Sequence, residues 1–186
     1  MGLPKYKYLL TYRYSEIVYD LTIEFCQRFV ADYGSKRTRE QMEQAARSGK
    51  QNIIEGVGQS DTSKKGEIKL LGVAKASLEE LLADYEDFLR TRKMEIFPKS
   101  DPRIGVFRQT AFRLSDLRNL SDLGSLKEKA KLPEKHEEAA NFLLTLCHQA
   151  TYLLFRQIEK AEHDFVMKGG FTEQLFKKRL SRRMGQ

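Results

Sequence analysis

Apolar residues recur at spacings of three and four along nearly the whole chain, and alternating runs rich in Val, Ile and Thr are missing. That periodicity predicts an all-α protein. A first helix is expected from about Ser15, read as its N-cap, to Tyr33, with Ile17, Leu21, Phe25 and Phe29 one turn apart on one face and Gly34 as the stop. A second begins near Thr38 and carries Met42, Ala45, Ala46, Gly49, Ile53 and Ile54. Its apolar face is small in the middle, where a neighbouring helix can come close. Gly56 and Gly58, followed by Gln59-Ser60-Asp61-Thr62-Ser63, read as the end of that helix and the cap of the next.

The third helix is expected from about Ser63 to Met94, with Ile68, Leu71, Ala74, Leu78, Leu81, Tyr85 and Phe88 on one stripe. Phe97-Pro98-Lys99-Ser100-Asp101-Pro102 breaks the pattern. A shorter amphipathic piece with Ile104, Phe107, Ala111, Leu114 and Leu117 follows, then an irregular stretch around Gly124. The last long helix opens with Pro133 in its first turn and Glu134, Glu137 and Glu138 near the positive end of its dipole. Leu143, Cys147, Ala150, Leu154, Ile158, Ala161 and Phe165 form its stripe, Gly169-Gly170 ends it, and Phe171, Leu175, Phe176 and Leu180 mark a final short helix with a basic outer face. The economical way to bury four apolar stripes is an antiparallel up-down four-helix bundle. On this reading residues 1–186 form a single domain, with a helical insertion at about 97–132 between the third and fourth helices and a basic C-terminal extension at about 171–186.

Composition narrows the class. A chain of 186 residues suits one domain with a sizeable core, and 40% hydrophobic with 32% charged residues excludes a disordered tail or a fibre. No apolar run approaches the roughly 20 residues of a membrane span, and Met1 to Leu10 lack the layout of a secretion signal. Cys26 and Cys147 stand alone and read as reduced core thiols of a cytoplasmic protein.

Charge adds a direction. The net charge of +7 lies wholly in two segments: Lys36 to Lys50 carries +3 through Lys36, Arg37, Arg39, Arg47 and Lys50 against Glu40 and Glu43. Phe171 to Gln186 carries +4 through Lys177, Lys178, Arg179, Arg182 and Arg183 against Glu173. A neutral body with two basic patches suits a surface that meets a polyanion, although basic segments are often simply solvated.

Catalytic and metal chemistry find little support. A di-iron bundle needs Glu-x-x-His pairs, which are lacking; Glu159 and His163, four apart, read as a surface pair. His148 follows Cys147 directly, and neighbours on a helix point about 100° apart, so they are not placed as base and nucleophile; His148 is expected to be buried or half-buried against a neighbouring helix. Gly56-x-Gly58 lacks the strand and the remaining residues of a nucleotide-binding loop. Glu80, Asp84 and Asp87 share one face of the third helix, a row suited to pairing with a basic face such as that of Arg39, Arg47 and Lys50, within the chain or in another copy of it.

One stretch carries more than periodicity. Asn52-Ile53-Ile54-Glu55-Gly56-Val57-Gly58, followed by Ser77-Leu78-Glu79-Glu80-Leu81, resembles the Asn-Ile-x-Glu-Gly and Ser-Leu-x-Glu-Leu signatures of the four-helix-bundle family typified by the large-subunit rRNA intervening-sequence proteins. The accessory variability determinant of diversity-generating retroelements belongs to the same family. The region from Ala140-Asn141-Phe142-Leu143 through Gln149-Ala150-Thr151-Tyr152-Leu153-Leu154 to Gly169-Gly170-Phe171 resembles the subgroup with a four-helix-bundle suffix domain. The resemblance implies an up-down bundle assembling as a ring-like homo-oligomer, pentameric in characterised relatives, without catalysis. The retroelement relative is a basic barrel that associates with a reverse transcriptase and binds nucleic acid; this sequence departs from it in its insertion and tail. Within the motif, Asn52 and Glu55 read as structural polar groups near a helix end, and Gly56 and Gly58 as turn residues.

Two functional classes follow. The first is a homo-oligomeric, non-catalytic accessory protein that binds RNA or DNA phosphates through Arg37, Arg39, Arg47, Lys50, Lys177, Lys178, Arg179, Arg182 and Arg183, with no cofactor or metal. The second is an interaction scaffold that docks a larger enzyme, such as a reverse transcriptase, through the stripe of Phe171, Leu175, Phe176 and Leu180. A basic, partly apolar terminal helix also admits contact with an anionic membrane surface.

Overall fold

The computed structural model describes residues 2–184. Among them the chain folds into six α-helices: α1 (Leu10–Phe29), α2 (Lys36–Gln59), α3 (Lys64–Thr91), α4 (Pro102–Leu114), α5 (His136–Lys168) and α6 (Phe171–Met184). Helix α1 packs on α2 and α5, α3 packs on the same two helices, and α4 lies on α5. The stripes read from the sequence meet at the centre: Phe25, Ile53, Leu71, Leu78, Leu81, Leu143, Cys147 and Leu154 are fully buried in one cluster. Each large apolar side chain so buried stabilises the fold by about 1.5–3 kcal/mol relative to leaving it in water. No described helix is long and apolar enough to cross a membrane.

The start of α1 departs from expectation. The helix begins five residues before Ser15, after a short 3-10 turn at Lys5–Tyr8, and Ser15 is buried in its interior. The Ser15 hydroxyl donates to the Tyr12 carbonyl at 2.7 Å, so it bonds back along the helix instead of capping it. Thr11, Tyr12, Arg13 and Tyr14 are buried too. Arg13 donates to the Lys7 carbonyl at 3.0 Å and to the Ser115 carbonyl, tying the turn before α1 to the end of α4. Gly34 is not the stop either: α1 ends at Phe29, and Gly34 lies in a one-turn 3-10 helix, Tyr33–Ser35, that leads into α2.

Gly56 and Gly58 do not end α2, which runs through both to Gln59. Gly56 is buried, and a Cβ there would lie 3.4 Å from the Glu67 carbonyl oxygen of α3. Packing thus outweighs the roughly 1 kcal/mol by which glycine disfavours a helix interior. At Gly49 the space is filled by an α3 side chain, and an added Cβ would stand 2.7 Å from Leu78 Cδ2. Ser63 caps α3 as its sequence suggests, its Oγ accepting from the Gly66 N–H at 3.0 Å.

After α3, Lys93 takes a left-handed φ of 57° and turns the chain into an extended elbow. Asn141 of α5 holds that elbow: its Oδ1 accepts from the Phe97 N–H at 2.8 Å, and its Nδ2 donates to the Glu95 carbonyl at 2.9 Å. Asp101 caps α4, with Pro102 in the first turn. Pro133 lies ahead of α5 instead of in its first turn, because the helix starts at His136; the Pro133 carbonyl accepts from Arg28 of α1 at 3.2 Å. Glu137 and Glu138 do occupy the first turn. At the far end Gly169 adopts φ 73°, a left-handed conformation that favours glycine, and breaks α5 from α6.

Candidate nucleic-acid interface

The residues read as phosphate ligands fall on two helices, and their surroundings differ. On α2 they diverge. Arg37 is exposed and lines a cleft of about 580 Å³ between α2 and α3, together with Glu40, Gln41, Gln44, Ser48, Ser77, Glu80 and Asp84. Arg47 is exposed on the other side of α2, beside Tyr19, Ile23, Glu40 and Glu43. Arg39 is half-buried, close enough to Cys26 for its charge to act on that thiol. Lys50 is half-buried, with its ammonium 3.8 Å from the centroid of the Tyr19 ring. Burial lowers the Lys50 pKa, while the charges of Asp20 and Glu16 oppose that shift. Lys50 therefore already has an aromatic face and two carboxylates of α1 as its surroundings.

On α6 the bases are open. Lys177, Lys178, Arg179, Arg182 and Arg183 are all exposed, and among the described residues none of them makes an ion pair. The helix is started by Glu173, whose Oε2 accepts from the Gly170 N–H at 3.2 Å. At about 100° per residue the bases do not form a separate outer face. Lys178 and Arg182 project on the side of Phe171 and Leu175, and Arg183 on the side of Phe176, so the basic outer face expected from the sequence is replaced by charge mixed with apolar groups. Phe171, Leu175, Phe176 and Leu180 remain 44% to 65% exposed.

Within the chain the acidic row of α3 does not meet Arg39, Arg47 and Lys50. It faces the α2 edge that carries Arg37, because Arg47 and Lys50 point towards α1. Asp84 has no hydrogen bond or ion pair among the described residues, and burial together with Glu80 and Asp87 pushes its pKa up to about 6. Asp87 is held by Arg90 at 2.7 Å.

Of the motif residues, Asn52 and Gly56 make contacts that hold the helices. Asn52 Nδ2 donates to the Ser48 carbonyl at 2.9 Å and approaches Ser48 Oγ at 3.2 Å; Ser48 Oγ lies 2.9 Å from Ser77 Oγ of α3. Asn52 thus bonds back into its own helix and supports a hydroxyl bridge between α2 and α3. Glu55 and Gly58 are exposed, and a Cβ on Gly58 would meet nothing within 4 Å.

Cys26 and Cys147 are buried free thiols, and burial pushes the Cys26 thiol up to about 12 and Cys147 higher still. Thiols so shifted are protonated and unreactive at neutral pH. His148, expected against a neighbouring helix, is instead exposed on α5 with no side-chain hydrogen bond among the described residues; the one-residue step from buried Cys147 turns it outward. It borders a cleft with Lys99 and Arg108. Glu159 pairs with Arg156 at 2.9 Å, and the described residues contain no group of three or more metal-ligating side chains.

Comparison with protein-family models, curated proteins and solved structures gives no match to this chain.

Proposed function

We propose that this protein is a non-catalytic, homo-oligomeric accessory protein that binds nucleic-acid phosphates, with α6 as the main contact and the exposed Arg37 and Arg47 of α2 as secondary ones. The observation that carries the reading is the state of the α6 bases: five cations on one short helix, exposed and without intramolecular ion pairs among the described residues. Such charges keep their full attraction for phosphate, whereas Lys50 is already engaged. Repetition in an oligomer multiplies the field. The cyclic order of contacts among α1, α2, α3 and α5, and the short link between α2 and α3, support an up-down four-helix bundle of the rRNA intervening-sequence type as the scaffold.

Filter binding of RNA, single-stranded DNA and duplex DNA at low salt tests the reading: retention that falls steeply with added salt supports it, and absence of retention refutes it. A mass measurement in solution tests the ring. A second reading, a scaffold for a larger enzyme such as a reverse transcriptase, is favoured by the half-exposed Phe171, Leu175, Phe176 and Leu180. Nuclease treatment separates the two, since it releases partners only where nucleic acid holds them.

A further inference from the structure

A second cleft, of about 660 Å³, opens between the end of α3, the elbow at residues 96–99, α4 and α5. Its size is within the range of about 300–1,000 Å³ typical of small-molecule sites. Phe97, Ile104 and Leu144 give it buried apolar walls. Lys99 from the elbow, Arg108 from α4 and His148 from α5 bring nitrogen groups to the same opening, and Glu86 is its one acidic lining residue. Lys99 and Arg108 are exposed and make no ion pair or hydrogen bond among the described residues. Gln149 Oε1, on the same lining, is buried without a hydrogen-bond partner.

The walls are held by the fold. Asn141 bonds the elbow at Glu95 and Phe97, Glu137 Oε1 accepts from the Glu95 N–H at 2.8 Å, and the Arg103 guanidinium lies 3.5 Å from the centroid of the Phe97 ring. Phe107 of α4 meets Phe142 of α5 at 5.1 Å between ring centroids. A cleft built in this way needs no rearrangement to admit a ligand. Partial desolvation at the cleft lowers the pKa of His148, with Glu86 opposing and Lys99 and Arg108 adding to the shift, so the positive field comes mainly from Lys99 and Arg108.

We propose that this cleft is a binding site for a small amphipathic anion, its apolar body against Phe97, Ile104 and Leu144 and its carboxylate between Lys99 and Arg108. A hydrogen-bond donor on the ligand would meet Gln149 Oε1. The proposal is independent of the nucleic-acid reading, since no basic residue of α2 or α6 lines the cleft.

The test titrates the full chain with 2-naphthoate and with its neutral counterpart 2-naphthalenemethanol, followed by backbone amide NMR shifts. The expected result is saturable binding with shifts at Phe97, Leu144 and Gln149, and an affinity for the carboxylate about fivefold above that for the alcohol. In the double variant K99Q/R108Q, which changes two exposed side chains and retains the helical circular-dichroism spectrum, the preference disappears. Absence of binding, equal affinity for the two probes, shifts located elsewhere, or a preference that survives in the double variant would each overturn the proposal.

Discussion

The ammonium of Lys50 sits 3.8 Å from the centre of the Tyr19 ring, so one of the nine bases that sequence points to as phosphate ligands is part of the contact between α1 and α2. Cation–π contacts contribute about 0.5–2 kcal/mol. K50Q is therefore expected to lower stability by about that amount in a urea titration while reducing nucleic-acid affinity less than removal of any two α6 bases. A larger affinity loss from K50Q than from K177Q/K178Q would place the interface on α2 instead.

Thr22 and Tyr85 make an asymmetric pair in the core. Thr22 Oγ1 donates to the Val18 carbonyl at 2.7 Å, so the 2.9 Å contact between the hydroxyls must use the Tyr85 proton. Y85F leaves Thr22 bonded to Val18, whereas T22V strands the fully buried Tyr85 hydroxyl. The unfolding free energy is expected to fall by about 1–3 kcal/mol for T22V and by less for Y85F; the reverse order in chemical denaturation would show that the proton assignment is wrong.

Two glycines of α2 should respond in opposite senses. At Gly49 a methyl group would press into the Leu78 side chain at 2.7 Å, and G49A is expected to cost about 1–3 kcal/mol through overpacking. At Gly58 there is open space and α-helical backbone, so G58A is expected to stabilise by up to about 1 kcal/mol. Melting temperatures of the two variants check the contrast.

These positions also show what could be read in the sequence and what could not. The stripe of α3 was legible because that helix buries one face. The first turns of α1 were not, because Thr11, Tyr12, Arg13, Tyr14 and Ser15 are all buried, and burial all round erases the helical period. Ser15 looks like a cap only in isolation; a buried hydroxyl in mid-helix satisfies itself on the preceding turn. Gly56 carries the local signal of a helix end, but the approach of α3 gives the missing side chain a packing role. The open charge of α6 was visible in sequence because exposure needs no partner. The cleft of Phe97, Lys99, Arg108 and His148 was not, since it draws on segments far apart in the chain and exists only once Asn141 has set the elbow.

Asp84 makes stability depend on pH. Its pKa is raised from 3.8 to about 6 by burial first and then by Glu80 and Asp87, so between those values the folded chain binds more protons than the unfolded one. Asp84 therefore lowers stability as pH rises through that window. D84N removes the charge and is expected to raise the melting temperature at about pH 7, with the gain vanishing below about pH 4, where both states are protonated. Melting curves across that range check the sign; a D84N variant less stable than the parent at neutral pH would show that Asp84 has a cationic partner, with Arg37 of the same cleft the first to examine.

The central claim, that the exposed bases of α6 bind nucleic-acid phosphates, is tested most directly by the salt dependence of binding. Fluorescence anisotropy with a single-stranded RNA is measured across a salt series for the parent and for a variant with Lys177, Lys178, Arg179, Arg182 and Arg183 all changed to Gln. Each phosphate contact on a single strand contributes about 0.7 to the slope of log K against log salt, so the variant's slope is expected to be shallower by up to about 3.5, with weaker binding at every salt concentration. Equal slopes for the two proteins, or no binding by the parent at low salt, would contradict the account.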